Sequence, residues 1–183
     1  MEFRRVPKYE NSHEYVDLGL SVKWAFVNIG AQSATDAGSY LAWCEKEVKQ
    51  CYNYSTAQEL KARIKDPVNL LWGGRWITPT KEQFEELLSL CKCEWAVCEG
   101  KNGLLVTRPE YDRNSFLFFP AGECAVDNKI YKDGLRGNYW TRSIVSDMDC
   151  FAHCMEFEEG GQRVAYNLRS HGFNVRPVFS DKN

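Results

Sequence analysis

The sequence lacks the features that mark several large classes of protein. No apolar run is long enough to predict a membrane-spanning helix, and the first residues contain no apolar segment like that of a signal peptide. An excess of charge is also missing, because 23 Lys and Arg residues stand against 25 Asp and Glu residues, giving a net charge of -2. The sequence therefore predicts no membrane insertion and no binding to nucleic acid.

The motifs of common catalytic and metal sites are absent as well. The three histidines, His13, His153 and His171, lie outside any H-E-x-x-H motif, and there is no nucleophile elbow or phosphate loop. The eight cysteines show C-x-C-x4-C and C-x3-C spacings instead of the paired C-x2-C of zinc sites. We expect no metal and no cofactor. Without a secretory signal, free buried thiols are as compatible with this cysteine count as disulfides are.

The segment 150–154 is the strongest candidate for chemistry. Two thiols, Cys150 and Cys154, flank the imidazole of His153, and such a set can bind copper or zinc. On a β-strand, however, the two cysteines lie about 13 Å apart along the chain, which is too far to share one ion without a bend. Two small buried thiols are the preferred interpretation, and we do not expect an enzyme.

What the sequence does contain is one clear helix signal. Thr80 to Gln83 fits a capping box, and an apolar residue then recurs with helical spacing at Phe84, Leu87, Leu88 and Cys91. This pattern predicts a helix near 81–91 with its charged face in solvent. A shorter helix is predicted to begin at Asp66-Pro67 and to end at Gly73-Gly74, followed by a buried Trp76.

Elsewhere the alternation of apolar and polar residues predicts strands. We expect a flexible arm over 1–13, a weak helix at 56–64, a loop over 123–138, and one mostly antiparallel α+β domain over 14–179. The predicted strands lie near 14–20, 21–30, 94–97, 103–107, 114–120, 139–143, 150–157, 163–171 and 173–178.

The alternation is most informative at 163–171. It predicts that Val164, Tyr166 and Leu168 face the core. The other face is polar and consists of Arg163, Ala165, Asn167, Arg169 and His171. We expect the loop 145–149 and the strand with Phe151 and His153 to lie beside this polar face, forming a shallow recognition surface.

Four segments together resemble a known family. They are EYVDLGLSVKWA at 14–25, WGGRW at 72–76 with Pro79-Thr80, GNYWTRS at 137–143 and GFNVRPV at 172–178. This ordered set resembles the Fibrobacter succinogenes major paralogous domain family of gut Bacteroidetes and their phages. The sequence departs from that pattern at Cys44, where Gly is usual, and at Thr141-Arg142, where Ser-Ser is common.

The resemblance implies a C-type lectin-like fold, related to that of formylglycine-generating enzymes, with its two ends paired. It also implies similarity to the variable target proteins of diversity-generating retroelements, in which the segment before the last motif is diversified and binds ligand. That segment maps to 144–171. The implied ligand-binding residues are Asp147, Asp149, Phe151, His153, Arg163, Ala165, Tyr166, Asn167, Arg169 and His171.

The function implied is non-enzymatic recognition of a protein or glycan on a cell surface. Two alternatives stay open: a metal or thiol oxidoreductase similar to formylglycine-generating enzymes, and a structural accessory domain of a surface or phage-tail protein. Two locations also stay open. One is a cell surface, which the protein would reach through a leader that is later removed, and the other is a phage particle.

Overall fold

The computed structural model describes residues 6–56, 66–122 and 124–181. Antiparallel strands dominate, and the described part contains two α-helices. The elements are β1 Lys8–Glu10, β2 His13–Val16, β3 Lys23–Ala25, α1 Pro67–Trp72, α2 Lys81–Leu90, β4 Lys92–Cys98, β5 Lys101–Arg108, β6 Asp112–Pro120, β7 Cys124–Val126, β8 Lys129–Tyr131, β9 Arg136–Ile144, β10 Phe151–Glu158, β11 Gly161–Leu168 and β12 Val178–Phe179.

The strands form four small sheets. Their orders are β1-β2-β3-β12, β11-β10-β9, β4-β5-β6 and β7-β8, and the pairings between these strands are antiparallel. The strand-rich, helix-poor content confirms the α+β class predicted from the sequence.

The two ends of the chain meet in the first of these sheets. Trp24 in β3 pairs with Val178 in β12, and the amide of Ala25 donates to the carbonyl of Pro177 at 2.8 Å. The predicted proximity of the N-terminal and C-terminal strands is therefore confirmed.

Both helices begin as the sequence predicts. Thr80 and Gln83 form a reciprocal capping box at the start of α2, with Thr80 N donating to Gln83 Oε1 at 2.8 Å. Asp66 caps α1 by accepting from Val68 N at 2.9 Å, and Gly73 and Gly74 follow α1 with φ values of 66° and 58°. Among the described residues, no helix combines the length and the apolar character needed to cross a membrane.

Two predictions about loops are wrong. The arm expected over 1–13 contributes β1, which pairs with β2 from Lys8↔Tyr15 to Glu10↔His13, so its described part is ordered by a sheet. The loop expected over 123–138 contains the β7–β8 hairpin and the first residues of β9. The weak helix predicted at 56–64 lies almost wholly outside the described residues.

The described core contains two large clusters on opposite faces of the β9–β10–β11 sheet and a third, smaller cluster around Tyr40 and Tyr52. The first core cluster includes Trp24, Phe84 and Met155. The second core cluster includes Trp76 and Cys154. Since alternate residues of a strand point to opposite faces, Met155 and Cys154 of β10 pack into different clusters, and the sheet is covered on both sides at its centre.

The GFNVRPV segment supplies the most deeply buried cation. Arg176 is fully buried, and its guanidinium donates to Asn28 Oδ1 at 2.6 Å and to the carbonyl of Phe118 at 2.7 Å. The carbonyls of Ala25 and Phe26 accept from its Nη1 atom at 3.1 Å and 2.9 Å. Burial lowers the pKa of Arg176 to about 10, which leaves it charged at neutral pH. This arginine therefore joins segments from three parts of the chain.

Trp76 joins the N-terminal hairpin to the second core cluster. Its side chain is 0% exposed, and its Nε1 atom donates to the carbonyl of Glu10 at 2.8 Å. Its ring also lies 4.9 Å from that of Phe179, edge to face. The predicted burial of Trp76 is confirmed.

Candidate ligand-binding site

The β10–β11 hairpin carries six of the ten residues that the sequence assigns to recognition: Phe151, His153, Arg163, Ala165, Tyr166 and Asn167. β11 pairs with β10 from Phe151↔Leu168 to Glu158↔Gly161 without a register shift, so the strand alternation is unbroken. Val164 packs against the first core cluster and Ala165 against the second. These two contacts anchor β11 on both faces.

The polar side chains of β11 open into a groove on the face of the second core cluster. The groove has a volume of about 900 Å³ and is bordered by β9, β10, β11, the β7–β8 hairpin and the 171–173 segment. Three of the residues predicted to bind ligand, Arg163, Asn167 and His171, line it together. The remaining side-chain lining consists mainly of Cys124, Val126, Tyr131, Asp133, Leu135, Arg136, Asn138, Glu156, Glu158, Gln162 and Phe173.

Two ion pairs hold opposite charges along the groove. Arg163 Nη2 lies 3.1 Å from Glu156 Oε2, and Arg136 Nε lies 3.3 Å from Glu158 Oε2. The Arg163 side chain is 76% exposed, so its ion pair with Glu156 contributes little to stability. The guanidinium can therefore exchange the Glu156 carboxylate for a ligand group. The groove therefore offers both donors and acceptors with no strong excess of either charge.

His171 is the histidine that lines the groove. Burial lowers its pKa below the ordinary histidine value, and the nearby carboxylate of Asp127 opposes that shift. The ring lies 6.1 Å from that of Phe173. At neutral pH the imidazole is uncharged and offers one donor and one acceptor.

A close approach of β9 and β10 forms the groove floor. Gly137 of β9 faces Phe157 of β10, and a Cβ atom at position 137 would come within 2.0 Å of the Phe157 ring. A side chain larger than that of glycine would displace this aromatic ring from the first core cluster. Gly137 therefore lets the sheet pack closely beneath the groove.

The sequence-based prediction misses the wall formed by β7 and β8. Each of these strands has only three residues, too few for a clear alternation. A local signal is nevertheless present, because Asp127-Asn128 connects Val126 to its partner Lys129 and Asp127 has a φ of 50°. Asp and Asn are favoured in such two-residue hairpin turns.

Three of the predicted binding residues do not face the groove. Phe151, His153 and Tyr166 belong to the alternation that includes Met155 and Val164, which places them on the opposite face of the sheet. The Phe151 and Tyr166 rings contact each other edge to face at 5.7 Å. The strand that carries Phe151 and His153 lies beside β11 as predicted, but these two side chains project from the opposite face of the sheet.

The prediction that Tyr166 and Leu168 point into the core is also wrong. Their side chains are 52% and 36% exposed, because the first core cluster ends near Val164 along this strand. Alternation correctly assigned the face of each residue but could not locate the boundary of the core.

The remaining predicted residues lie at the margins of the site. Asp147 and Asp149 are exposed in the turn between β9 and β10, outside the groove lining. Ala165 is packed against the second core cluster. Arg169 lies over the Trp43 ring, with its Cζ atom 5.5 Å from the ring centroid, and lines a neighbouring smaller cavity.

The thiols provide no activated nucleophile in the groove. All eight cysteines are free, and burial raises the pKa of Cys124, which lines the groove, and that of the buried Cys154. A raised pKa keeps a thiol protonated and weakens it as a nucleophile and as a metal ligand. Within the described ranges, no cluster of three or more His, Cys, Asp or Glu side chains is arranged to hold a metal ion.

Comparison of the chain with protein-family models, with curated proteins and with solved structures finds no match in any of the three.

Proposed function

We propose that this protein is a non-enzymatic recognition protein that binds a protein or glycan ligand in the groove beside β11. The observation that carries the proposal is the gathering of Arg163, Asn167 and His171 into one open groove of about 900 Å³. Arginine and asparagine side chains supply directional hydrogen bonds, and Tyr131 adds an aromatic surface.

The packing of β11 beneath the groove favours a binding role for its exposed side chains over a structural role. Val164 and Ala165 hold β11 from opposite faces, while Arg163 and Asn167 project from a strand whose register is fixed by β10. A surface of this kind tolerates changes in its exposed side chains without loss of the core. That property suits the diversifiable surface of a retroelement target protein on a C-type lectin-like scaffold.

The oxidoreductase alternative receives less support. A thiol that transfers electrons or binds a metal needs a thiolate, and the raised pKa of Cys154 opposes thiolate formation. Its Sγ atom lies 3.9 Å from Glu156 Oε1, and the neighbouring negative charge works in the same direction.

The binding part of the proposal is tested with paired substitutions. The groove variant is Arg163→Ala with Asn167→Ala, and the control is Arg113→Ala with Asn114→Ala, which removes the same side-chain types from an exposed part of β6 outside the groove. Both variants and the unaltered chain are applied to a glycan array and to an array of bacterial surface proteins. We expect the groove variant to lose the specific signals and the control to keep them.

Equal retention of the signals by the groove variant would place the binding surface elsewhere. The absence of specific signals for the unaltered chain on both arrays would favour the structural accessory role.

The retroelement part is tested by comparing copies of the gene within one population. Changes at adenine positions confined to codons 144–171, with a reverse transcriptase gene nearby, would support it. Changes spread evenly along the gene would contradict it.

A further inference from the structure

A second, smaller cavity adjoins the groove at His171. It has a volume of about 210 Å³, and its lining includes Tyr52, Asp127, Arg169 and His171. His171 lines both spaces, so a ligand in the groove can extend a side group into this cavity. A volume of this size accommodates a small group of several heavy atoms, since one water molecule occupies about 30 Å³ in the liquid.

Arg169 enters this cavity with unused hydrogen-bonding capacity. Its Nε and Nη1 atoms are buried and have no hydrogen-bond partner among the described residues. The backbone around it is fixed, because Arg169 N donates to the carbonyl of Cys150 at 2.9 Å and its own carbonyl accepts from Trp43 N at 3.0 Å. The guanidinium lies over the Trp43 ring, which orients it without supplying an oxygen acceptor.

Arg169 thus contrasts with Arg176, the fully buried arginine. The guanidinium of Arg176 donates hydrogen bonds to four oxygen atoms, whereas the buried Nε and Nη1 atoms of Arg169 donate to none among the described residues. Buried donors without acceptors carry a desolvation cost that a bound acceptor would remove. The side chain is half-buried and lines the cavity, so an anion in the cavity would lie beside the guanidinium.

We propose that this cavity is a carboxylate subsite in which Arg169 binds an acidic group of the ligand. A single guanidinium matches the single charge of a carboxylate, and the nearby Asp127 disfavours a dianion such as phosphate. The ligand class is therefore an acidic peptide or an acidic sugar. This inference rests on the proposed function in that the carboxylate belongs to the ligand that occupies the groove.

The test uses the full chain and acetate as the test ligand. The side-chain Nε–H resonance of Arg169 and the indole N–H resonance of Trp43 are followed by NMR during titration with sodium acetate. Parallel titrations use sodium chloride at matched ionic strength and sodium phosphate at a pH where phosphate is mainly dianionic. We expect saturable shifts with acetate, no saturation with chloride and weaker binding of phosphate.

Two variants test whether Arg169 is the residue that binds acetate. The Trp43 indole N–H resonance reports binding in both. Arg169→Gln should weaken acetate binding by at least about tenfold, equivalent to about 1.4 kcal/mol. Arg113→Gln removes an exposed arginine of β6 that lines neither the groove nor this cavity, and it should change the affinity by less than about twofold.

Several outcomes would overturn the carboxylate subsite. These are the absence of saturation with acetate in the unaltered chain, equal saturation in Arg169→Gln, and tighter binding of phosphate than of acetate. Because acetate binding is measured without the natural ligand, loss of this subsite with array binding intact leaves the proposed function standing. Conversely, acetate binding without array signals leaves the subsite but not the proposed function.

Discussion

Two arginines near the C-terminus, Arg176 and Arg163, show how the same side chain serves different parts of this molecule. Arg176 is fully buried and donates to one side-chain oxygen and three carbonyl oxygens from distant segments. Arg163 is 76% exposed and has one surface carboxylate, that of Glu156, as its partner. Arg176 holds distant segments together in the interior, and Arg163 can exchange the Glu156 carboxylate for a ligand group.

The comparison extends to the segments that carry these residues. The segment with Arg176 crosses the core and reaches β12, which pairs with β3. β11 is one of the two edge strands of its sheet and is hydrogen-bonded on one side by β10. Substitutions in the first segment should therefore change stability, and substitutions in β11 should change binding.

The largest effect is expected for Arg176→Met. This change leaves Asn28 Oδ1 and the Phe118 carbonyl without their buried donor, and each buried acceptor left unsatisfied typically costs about 1–3 kcal/mol. Chemical denaturation measures the change in the free energy of unfolding, with Arg163→Met as the matched control. A loss below about 1 kcal/mol for Arg176→Met would mean that the interior does not depend on this cation.

A similar loss is expected for Trp76→Ala. The fully buried indole contacts Phe179 and donates to the Glu10 carbonyl, and truncation of a core aromatic residue costs about 3–5 kcal/mol. Trp95→Ala removes the same side chain from a half-buried position and should cost less. Equal losses for the two variants would show that burial at position 76 is not decisive.

A smaller change in the free energy of unfolding is expected when the pH is lowered. Burial lowers the pKa of His171 below its ordinary value of 6.5, so the unfolded chain binds a proton more readily than the folded chain does. This contribution to stability is complete above about pH 6.5 and is lost as the pH falls through that value towards the folded pKa. We expect the free energy of unfolding to fall between about pH 7 and pH 5.5, and to fall less in His171→Gln. His13, whose pKa burial also lowers, should account for part of the remaining slope.

The smallest effect on stability is expected for Arg163→Ala combined with Asn167→Ala. Exposed substitutions typically change the free energy of unfolding by within about ±0.5 kcal/mol each. Thermal unfolding should therefore give nearly the same midpoint as the unaltered chain, while array binding is lost. A large drop in the midpoint would instead place these side chains in the structural part of the molecule.

Local chemistry allowed the sequence to predict several elements correctly. The capping box of Thr80 and Gln83 located the start of α2, and Asp66-Pro67 located the start of α1. Burial of Trp76 followed from its position between two strong local signals. Strand alternation also placed Arg163 and Asn167 on one face, where they line the groove together.

Long-range packing explains the predictions that were wrong. Tyr166 and Leu168 have the pattern of core residues, but the first core cluster extends along β11 only as far as Val164. The β7–β8 hairpin is too short to show a period, and its place in the groove wall depends on the antiparallel bridge between Ala125 and Gly172.

The sequence by itself determined the elements whose signals are local: the two helix starts, most of the longer strands and the polar alternation of β11. Capping and alternation act within a few residues, so they can be read along the chain. The tertiary structure alone decided which arginine is buried among oxygen acceptors and which faces solvent. Arg163, Arg169 and Arg176 are chemically identical side chains. Arg176 contacts Asn28 and Phe118 and Arg169 contacts Trp43, all far away in the sequence, whereas Arg163 pairs only with Glu156 on the neighbouring strand among the contacts described above.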